Sequence, residues 1–300
     1  MRIFVTGATG HVGFRIATAL RRRGHSVLGL TRTDAGATRL ARHEVHAVRG
    51  TLQEPGTWKG AENCSVLVHA AADYMTDTSA LDRAAVGSLL SLAGRGAGPK
   101  TVVYTSGVWV YGPTGDTLVD ETSPLAPLPM SLQRVETEKA VLTTLGVKGL
   151  VLRPGCVYGY GGSLTAAWFA GATAGKLEVV GDGSNRWATV HADDCAEAYV
   201  RAIESGIAGE IFNVTDRSRA PLRRLVIAAA KASGFGGEIR WIPLAEAKST
   251  MGDFASALAF DQHVDSRKAV ARLGWQPSHG GFEDGAATYY ASWKAAAART

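Results

Sequence analysis

Short apolar runs alternate with helix-period segments through the first half of this 300-residue chain. Val12, Ile16 and Leu20 recur at four-residue spacing, which predicts a helix with one buried face. Strands that alternate with such helices form a parallel sheet covered on both faces. The pattern therefore predicts an α/β fold with a doubly wound parallel sheet. The predicted strands lie near residues 2–6, 26–31, 45–49, 65–70, 100–106 and 148–153.

The alternation of strands and helices loosens beyond residue 153. Glycines between 155 and 162 interrupt the chain, and no linker separates a second unit. The segment 112–130 contains several prolines and is long for a connection, which favours a functional role. The predicted helices after the first cover about 78–93, 131–145, 164–174, 193–204, 222–233 and 282–298.

The composition is that of a folded globular protein and excludes wholesale disorder. Hydrophobic residues make up 46% and charged residues 20% of the chain, close to the globular average. No apolar run reaches the roughly 18 residues of a membrane-spanning helix. The opening segment 1–6 is typical of a strand rather than a signal sequence. We therefore expect a cytoplasmic protein with no membrane partner.

The three cysteines indicate structural thiols rather than a redox or metal site. Cys64, Cys156 and Cys195 lie far apart and form no Cys-x-x-Cys pair. This spacing argues against both a disulfide framework and a zinc site. We expect reduced thiols.

The net charge of +5 is concentrated at the amino-terminal end of the chain. Residues 1–60 hold ten Lys and Arg against three Asp and Glu, whereas residues 61–300 hold 22 bases and 24 acids. A basic region can mark a nucleic-acid footprint. Here the longest basic run is 21–23, at the end of a predicted helix, where cations complement the helix dipole. A phosphate-bearing cofactor explains the excess better, so no nucleic-acid partner is expected.

A glycine-rich turn joins the first predicted strand to the first predicted helix. Glycines let the backbone turn tightly and approach a pyrophosphate, whose charge then meets free amide groups at the helix start. In this position between a strand and a helix, a glycine triplet predicts a dinucleotide site. An ordinary glycine-rich turn is the alternative. The residues are Thr6-Gly7-Ala8-Thr9-Gly10-His11-Val12-Gly13.

The end of the second predicted strand bears on which dinucleotide binds. An acidic residue there usually binds the ribose 2′-hydroxyl of NAD, whereas an Arg accommodates the 2′-phosphate of NADP. The strand ends in Thr31-Arg32, and Asp34 lies just beyond it. Asp34 precedes a helical segment, where an Asp more often caps the helix. The sequence therefore favours NADP(H) as the cofactor.

Several blocks of the sequence resemble the extended short-chain dehydrogenase/reductases. The resemblance implies an NADP-binding Rossmann domain over residues 1–158 and a smaller lobe over 159–300, mainly substrate-binding and interleaved with the first. The blocks occur in the family's order and span nearly the whole chain. They are the glycine pattern at 6–13, His69-Ala70-Ala71-Ala72, Tyr104-Thr105-Ser106, Val110-Tyr111-Gly112, and the segments 153–159, 190–194 and 273–277.

The sequence departs from the family's pattern where the family carries its Ser-Tyr-Lys machinery. The family's Ser or Thr lies four residues before Tyr111, where this chain has Gly107. Its Tyr-x-x-x-Lys motif would place Tyr at Val135 if Lys139 is the Lys, and no Tyr lies between 112 and 157. The hydroxyl and the Tyr acid are therefore absent, and Lys139 is either the ribose ligand or a solvated helix residue.

These departures resemble an atypical branch of the family, in particular ketoreductases that tailor aromatic polyketide antibiotics such as angucyclinones. The Arg134-x-x-x-Glu138 spacing is part of this resemblance. The cofactor half of the site is retained. The residues that the resemblance assigns to the cofactor are Gly7, Thr9, Gly10, His11, Val12, Arg32, Thr51, Leu52, Ala70, Ala71, Ala72, Thr105, Lys139, Pro154 and Val157.

Candidates for the substrate site follow the ends of the fourth and fifth strands or are large aromatic residues. Each has a plain alternative, since aromatics are more often core and a Ser hydroxyl often bonds the backbone. His191 with Asp193 and Asp194 is compatible with a metal site but matches a structural block, so no metal is expected. No catalytic acid is assigned. The substrate-site candidates are Tyr74, Ser106, Trp109, Gln133, Tyr158 and Trp187.

The function predicted from the sequence is NADPH-dependent reduction of a carbonyl on a bulky aromatic, polyketide-like small molecule. Without the Tyr, a hydroxyl of the substrate itself would assist protonation. Two alternatives stay open. One is a nucleotide-sugar epimerase or dehydratase, and the other is a non-catalytic NADP-binding regulator. The sequence names neither the ketone, the stereochemistry nor the oligomeric state.

Overall fold

The computed structural model describes residues 1–72, 78–95 and 98–298. Helices and strands alternate along most of this part of the chain, as the hydrophobic pattern predicts. The strands are β1 Arg2–Thr6, β2 Ser26–Thr31, β3 His46–Arg49, β4 Val66–His69, β5 Lys100–Thr105, β6 Leu118–Val119, β7 Val147–Pro154, β8 Cys156–Tyr158, β9 Glu178–Val180, β10 Thr189–His191, β11 Glu210–Val214, β12 Arg240–Ile242 and β13 His263–Val264. The helices are α1 His11–Arg22, α2 Asp34–Ala41, α3 Thr78–Gly94, α4 Pro129–Thr143, α5 Leu164–Thr173, α6 Ala192–Glu204, α7 Leu222–Ser233, α8 Leu244–Met251, α9 Asp253–Leu258, α10 Arg267–Leu273 and α11 Phe282–Ala297.

A seven-stranded parallel sheet forms the centre of the molecule, in the order β11-β7-β5-β4-β1-β2-β3. The chain builds outward from β1 through β2 to β3 and then returns to β4 on the other side of β1. The strand order therefore reverses between β1 and β4. In open α/β sheets, ligands bind at such a reversal, outside the carboxyl ends of the strands. The predicted fold class, a doubly wound α/β sheet, is confirmed.

Apolar side chains cover both faces of the sheet. On one face α1 packs against α6, and buried residues such as Ile16 and Tyr199 join the strand residues there. On the other face Leu89 of α3 and Val141 of α4 pack against the strands. Burial on both faces explains why the strands have near-continuous apolar runs rather than alternating ones.

The smaller carboxy-terminal part has an aromatic core of its own. Trp168 of α5 stacks on Trp187 with ring centroids 5.3 Å apart, and Phe282 of α11 meets Trp168 edge-on. Parallel strand pairs β8–β10, β9–β12 and β6–β13 tie this part together. The chain enters it after β7 and returns to the main sheet at β11, so the two parts are interleaved in sequence. The proposed division at residue 158 stays a prediction.

The cysteines and the lengths of the helices are two further features of the structure. The three cysteines are free, and burial raises the pKa of the Cys156 thiol to about 12 and raises that of Cys195 as well. A raised pKa keeps a thiol protonated and unreactive. None of the helices in the described ranges combines the length and the hydropathy of a membrane span.

Candidate active site

The glycine-rich turn after β1 brings the backbone unusually close to the end of β4. Gly7 has φ +70°, and a Cβ added there would lie 2.3 Å from the carbonyl oxygen of Ala70. A Cβ on Gly13 would lie 2.2 Å from the carbonyl oxygen of Gly7. Only glycine meets both demands. Gly10 caps α1 without a side-chain hydrogen bond, so the first amides of α1 are available to an anion.

A pocket of about 160 Å³ opens beside this turn, at the reversal of the strand order. It brings together residues from the ends of β1 and β2 and the segments that follow β3 and β4. Most of the residues predicted to hold a dinucleotide are among them. The lining residues are Gly7, Thr9, Gly10, Leu30, Thr31, Arg32, Gly50, Thr51, Leu52, Gln53, Ala70, Ala71 and Ala72.

The polar atoms around the pocket fit a dinucleotide. Thr51 Oγ1 and His11 Nε2 are buried and have no hydrogen-bond partner within the described part of the chain. Burial, reinforced by the charges of Arg15 and Arg39, lowers the pKa of His11 to about 4. The His11 ring is therefore neutral at physiological pH. A buried polar atom without a partner is costly. Thr51 lines the pocket, so a ligand with ribose hydroxyls would satisfy its Oγ1.

The end of β2 places Arg32 at the pocket and Asp34 outside it. Asp34 is exposed and faces Arg49, with its Oδ1 3.6 Å from an Arg49 guanidinium nitrogen. The N-cap of α2 is Thr33, whose Oγ1 accepts a 3.0 Å hydrogen bond from the Gly36 amide. The expectation that Asp34 caps the helix is therefore wrong. Thr33 takes the cap because it is the last extended residue before the first turn of α2.

At the end of β5, the hydroxyl of Ser106 has no partner among the described residues, and the hydroxyl that the family carries next to it is absent because the chain has Gly107. Ser106 is 6% exposed, and its Oγ has no hydrogen-bond partner in the ranges that the structure describes. Gly107 follows and begins the short helical turn 108–111. The hydroxyl of Thr105, by contrast, is engaged, because its Oγ1 accepts a 2.8 Å bond from the phenol of Tyr199. Ser106 is thus the hydroxyl at this strand end that a ligand would satisfy.

Helix α4 presents Arg134, not Lys139, to the end of β5. Arg134 Nη1 donates a 3.0 Å hydrogen bond to the carbonyl oxygen of Thr105, whereas Lys139 is exposed. Lys139 lies on the exposed side of α4, and its contact with the cofactor ribose stays a prediction. Four residues before Arg134 lies Met130, which carries no acidic proton.

A buried ion pair fixes this orientation of α4. Arg153 at the end of β7 donates from Nε and Nη2 to the two carboxylate oxygens of Glu138, at 2.9 and 2.5 Å. Its Nη1 donates to the hydroxyl of Tyr111 at 2.8 Å, and that hydroxyl donates to Asn213 Oδ1 at 2.9 Å. The sequence prediction included Arg134 only in the Arg134-x-x-x-Glu138 spacing and did not assign it to the site. The available signal was that spacing, because residues four positions apart lie on the same helix face.

A second buried hydrogen-bonded chain lies beneath the ends of β1, β4 and β5. His69 contacts Thr6 Oγ1 through Nδ1 at 2.9 Å and Asp82 through Nε2 at 3.1 Å, and Tyr104 donates to Asp82 at 2.8 Å. Burial alone would raise the pKa of Asp82, but the hydrogen bond from His69 and the charge of Arg134 hold it below its usual value. Burial raises the pKa of the Tyr104 hydroxyl well above its usual value. Tyr104 therefore stays protonated, and its hydroxyl is engaged by Asp82.

Two predicted substrate contacts are core residues. Tyr158 is fully buried and donates its hydroxyl to the carbonyl oxygen of Gly280 at 2.7 Å. Trp187 is 6% exposed and donates its indole N–H to the carbonyl oxygen of Leu258 at 2.9 Å. Both assignments to the substrate are corrected, because each ring packs inside the carboxy-terminal aromatic core and its polar atom is already bonded.

The other predicted substrate contacts have different placements. Trp109 is half-buried and meets Phe254 edge-on at 6.1 Å. Gln133 is half-buried and donates to Thr137 Oγ1 at 3.1 Å. Tyr74 lies outside the described residues. Trp109 and Gln133 stay candidates for contact with a substrate.

Residues predicted for the far end of the cofactor lie along the same edge of the sheet. Pro154 is buried at the end of β7, and Val157 lies in β8 directly after it. Val12, Ala70 and Val157 all pack against one apolar cluster beneath the glycine-rich turn. Their contact with a cofactor stays a prediction.

The cluster of His191, Asp193 and His279 has ligand atoms within 4.8 Å of one another. The two imidazoles stack with centroids 3.6 Å apart, and His279 Nδ1 lies 3.1 Å from Asp194 Oδ2. Tyr160 donates to Asp193 at 2.6 Å. Burial, with the neighbouring His279, lowers the pKa of His191 to about 4. Internal contacts engage these groups, and the absence of a metal stays a prediction.

Sequence comparison places these features beside known proteins. Residues 3–215 match the sequence model of the NAD dependent epimerase/dehydratase family. The chain is 30% identical to a 3-diazoavenalumate denitrifying reductase of a Streptomyces species, over 95% of this chain and 99% of that protein. It is 30% identical to a 4-hydroxy-2-methyl-3-oxo-4-farnesyl-3,4-dihydroquinoline-1-oxide ketoreductase of Stigmatella aurantiaca, over 83% of this chain and 78% of that protein.

Structure comparison supports the same fold. The crystal structure of a UDP-glucose 4-epimerase from Thermotoga maritima, solved with UDP-glucose, superposes with a TM-score of 0.82 at 20% sequence identity. The match covers 99% of this chain and 100% of that one. At this identity the likeness concerns the fold alone.

Proposed function

Because the chain belongs to the NAD-dependent epimerase/dehydratase family, we propose that it is an NADPH-dependent ketoreductase acting on a bulky, aromatic small molecule. Its membership and its reductase relatives make it an NAD(P)H-dependent oxidoreductase. The preference for NADPH, the aromatic ketone as substrate and the mechanism are the further parts of this proposal.

The observations that carry the proposal are a pocket beside the glycine-rich turn, lined by most of the residues predicted for a dinucleotide, and the residues near the end of β5, where the described chain has Gly107 in place of the family's Ser or Thr. Epimerisation and dehydration of a sugar begin by oxidising an alcohol, so a base must remove the hydroxyl proton. Reduction of a ketone needs only a hydride and a proton, and water or the substrate can supply the proton. Gly107 replaces the family's Ser or Thr, and neither Val135, four residues before Lys139, nor Met130, four residues before Arg134, carries an acidic proton. Reduction is therefore the better supported direction.

Protein groups would bind and orient the two reactants. The first amides of α1 and the turn at Gly7 and Gly10 would hold the pyrophosphate, and Arg32 would face the 2′-phosphate that distinguishes NADP. Arg134 of α4, which donates to the last residue of β5, would hold the nicotinamide ribose. The cofactor supplies the hydride when it is bound.

Ser106 and the apolar surroundings would act on the carbonyl. The free Oγ of Ser106 can donate one hydrogen bond to the ketone oxygen or to the cofactor. Half-buried Trp109 would provide an apolar wall and exclude water. A hydroxyl of the substrate close to its own carbonyl would stabilise the developing alkoxide, and water would deliver the proton afterwards.

The test is a turnover assay with purified protein, NADPH and a panel of aromatic ketones that do and do not carry a neighbouring hydroxyl. We expect NADPH oxidation with a ketone of the first kind and isolation of the alcohol. Tight NADPH binding with no turnover on any ketone would contradict the proposal and favour a regulator. Interconversion of nucleotide sugars with no net NADPH oxidation would instead favour an epimerase.

A further inference from the structure

A second cavity, of about 450 Å³, lies beyond the end of β11. It is lined by the segment 215–219 after β11, by 262–267 around β13, and by Leu118, Arg186, Ala188 and Val270. None of these residues lines the dinucleotide pocket. The volume is within the range of about 300 to 1,000 Å³ of small-molecule sites. The cavity therefore has room for an organic molecule and is separate from the cofactor.

Four arginines line this cavity, and two of them provide uncompensated positive charge. Arg186 and Arg267 are each paired with an aspartate, at 2.7 and 2.6 Å. Arg217 and Arg219 are exposed, and neither has a carboxylate partner in the part of the chain that the structure describes. Both lie on the same short loop, with Ser218 between them, so two guanidinium groups are available to a single ligand.

His263 supplies a second, independent sign of a ligand. It lines the cavity, and its Nε2 is buried with no hydrogen-bond partner in the described ranges. Burial, assisted by the charge of Arg186, lowers the pKa of His263. The imidazole is therefore neutral near pH 7, and Nε2 can donate one hydrogen bond to an oxyanion without adding charge.

The carboxylates in the wall do not cancel this positive charge. Asp265 is paired with Arg267. Asp216 accepts hydrogen bonds from Thr189 Oγ1 at 2.8 Å and from the Ser218 amide at 2.9 Å. Burial raises the pKa of Asp216 to about 7, so its negative charge is only partly present at neutral pH.

We propose that this cavity binds a small organic oxyanion. Arg217 and Arg219 would form ion pairs with it, and His263 would donate a hydrogen bond to it. A guanidinium group matches the geometry of both phosphate and carboxylate oxygens, so oxyanion is the shared chemistry. The cavity exceeds the size of a bare phosphate, and the remaining space would hold the organic part of the ligand. This proposal does not depend on the reaction proposed above.

Isothermal titration with a phosphate ester, glucose 6-phosphate, and with a carboxylate, citrate, tests the site at constant ionic strength. The protein is saturated with NADPH so that the dinucleotide pocket is blocked. We expect saturable binding of at least one probe, weakened at least about tenfold in the double variant Arg217→Gln and Arg219→Gln. The stronger binder shows which oxyanion the site prefers. NADPH affinity of the same variant checks that it folds.

Arg272→Gln is the matched control, since Arg272 belongs to α10 but does not line the cavity. We expect it to leave probe affinity unchanged. Equal weakening by the control and the double variant would mean general charge attraction and would overturn the site. So would the absence of saturable binding of either probe, or undiminished binding in the double variant.

Discussion

Arg134 Nη1 lies 3.0 Å from the carbonyl oxygen of Thr105, to which it donates a hydrogen bond. This contact joins the start of α4 to the last residue of β5, the strand end that faces the candidate active site. It brings a permanently charged group to that strand end, whereas the sequence pattern assigns the ribose to Lys139. There are therefore two candidates for the residue that binds the ribose. Arg134 lies on the inner side of α4, and Lys139 lies on its exposed side.

Replacing Arg134 with Met should raise the KM for the cofactor about 10- to 100-fold, because a hydrogen bond to a charged group contributes about 1.5–3 kcal/mol. Arg134→Lys should retain part of the affinity. Lys139→Met is the matched control and should change neither KM nor kcat. Steady-state kinetics with varied cofactor checks all three. The reverse pattern, a defect in Lys139→Met alone, would restore the original assignment.

The sequence was sufficient to predict the main sheet, with one strand missing. Six strands were predicted because each is a short apolar run flanked by turn residues or charges. β11 was missed because its five residues include Glu210 and Asn213, which the apolar pattern does not favour. Both are explained by tertiary contacts, since Glu210 pairs with Lys268 at 2.7 Å and Asn213 bonds Tyr111.

The glycine turn could be predicted down to single residues, whereas the substrate side could not. A tight backbone approach at Gly7 demands glycine whatever surrounds it, so the sequence reports it directly. An aromatic residue such as Trp187 or Tyr158 serves equally well in a core or in a pocket wall. Which of the two it forms depends on packing between distant segments, and here both rings pack inside the lobe.

The Arg153–Glu138 pair should be essential to stability because both side chains are almost fully buried. Glu138→Gln leaves an uncompensated buried charge on Arg153, and we expect the free energy of unfolding to fall by about 3–5 kcal/mol. Glu136→Gln on the exposed side of α4 is the control and should change it by less than about 0.5 kcal/mol. Urea denaturation measures both. A loss below about 1 kcal/mol in Glu138→Gln would show that water compensates the charge.

Asp216 should make stability depend on pH in the neutral range. Burial raises its pKa from 3.8 to about 7 in the folded protein, so the folded state holds the proton more tightly than the unfolded state. Its contribution is complete below about pH 4 and is lost as the pH rises through about 7. Three pKa units correspond to at most about 4 kcal/mol.

The variant Asp216→Asn removes this titration. Relative to the wild type, we expect the variant to gain stability at pH 8 compared with pH 5, as measured by urea denaturation at both values. Asp284→Asn removes an exposed carboxylate nearby and should leave the pH dependence between 5 and 8 unchanged. An identical pH dependence in Asp216→Asn and the wild type would show that Asp216 is ionised throughout this range.

Arg32 should determine the choice of cofactor. Changing Arg32 to Ala should weaken NADPH binding by about 1.5–3 kcal/mol, the contribution of a charge-assisted hydrogen bond, and should leave NADH binding nearly unchanged. Fluorescence titration with each cofactor measures the difference. If the wild-type protein binds NADPH and NADH with equal affinity, Arg32 does not select the 2′-phosphate.

Identifying the group that assists protonation of the ketone tests the proposed mechanism most directly. A side-chain general acid typically contributes about 100- to 10,000-fold to the rate, whereas one neutral hydrogen bond contributes about 0.5–1.5 kcal/mol, or up to about tenfold. If the substrate's own hydroxyl assists, Ser106→Ala should lower kcat by less than about tenfold. Methylating the substrate hydroxyl beside the carbonyl should then lower kcat by about 100-fold or more.

The control is a substrate methylated at a hydroxyl far from the carbonyl, which adds the same bulk without removing the assisting group. Its kcat should stay close to that of the parent ketone. A loss above about a thousandfold in Ser106→Ala, with NADPH binding intact, would identify Ser106 as part of the proton-donating machinery. That result would contradict the substrate-assisted mechanism, because the Ser106 hydroxyl would then assist protonation in place of the substrate hydroxyl.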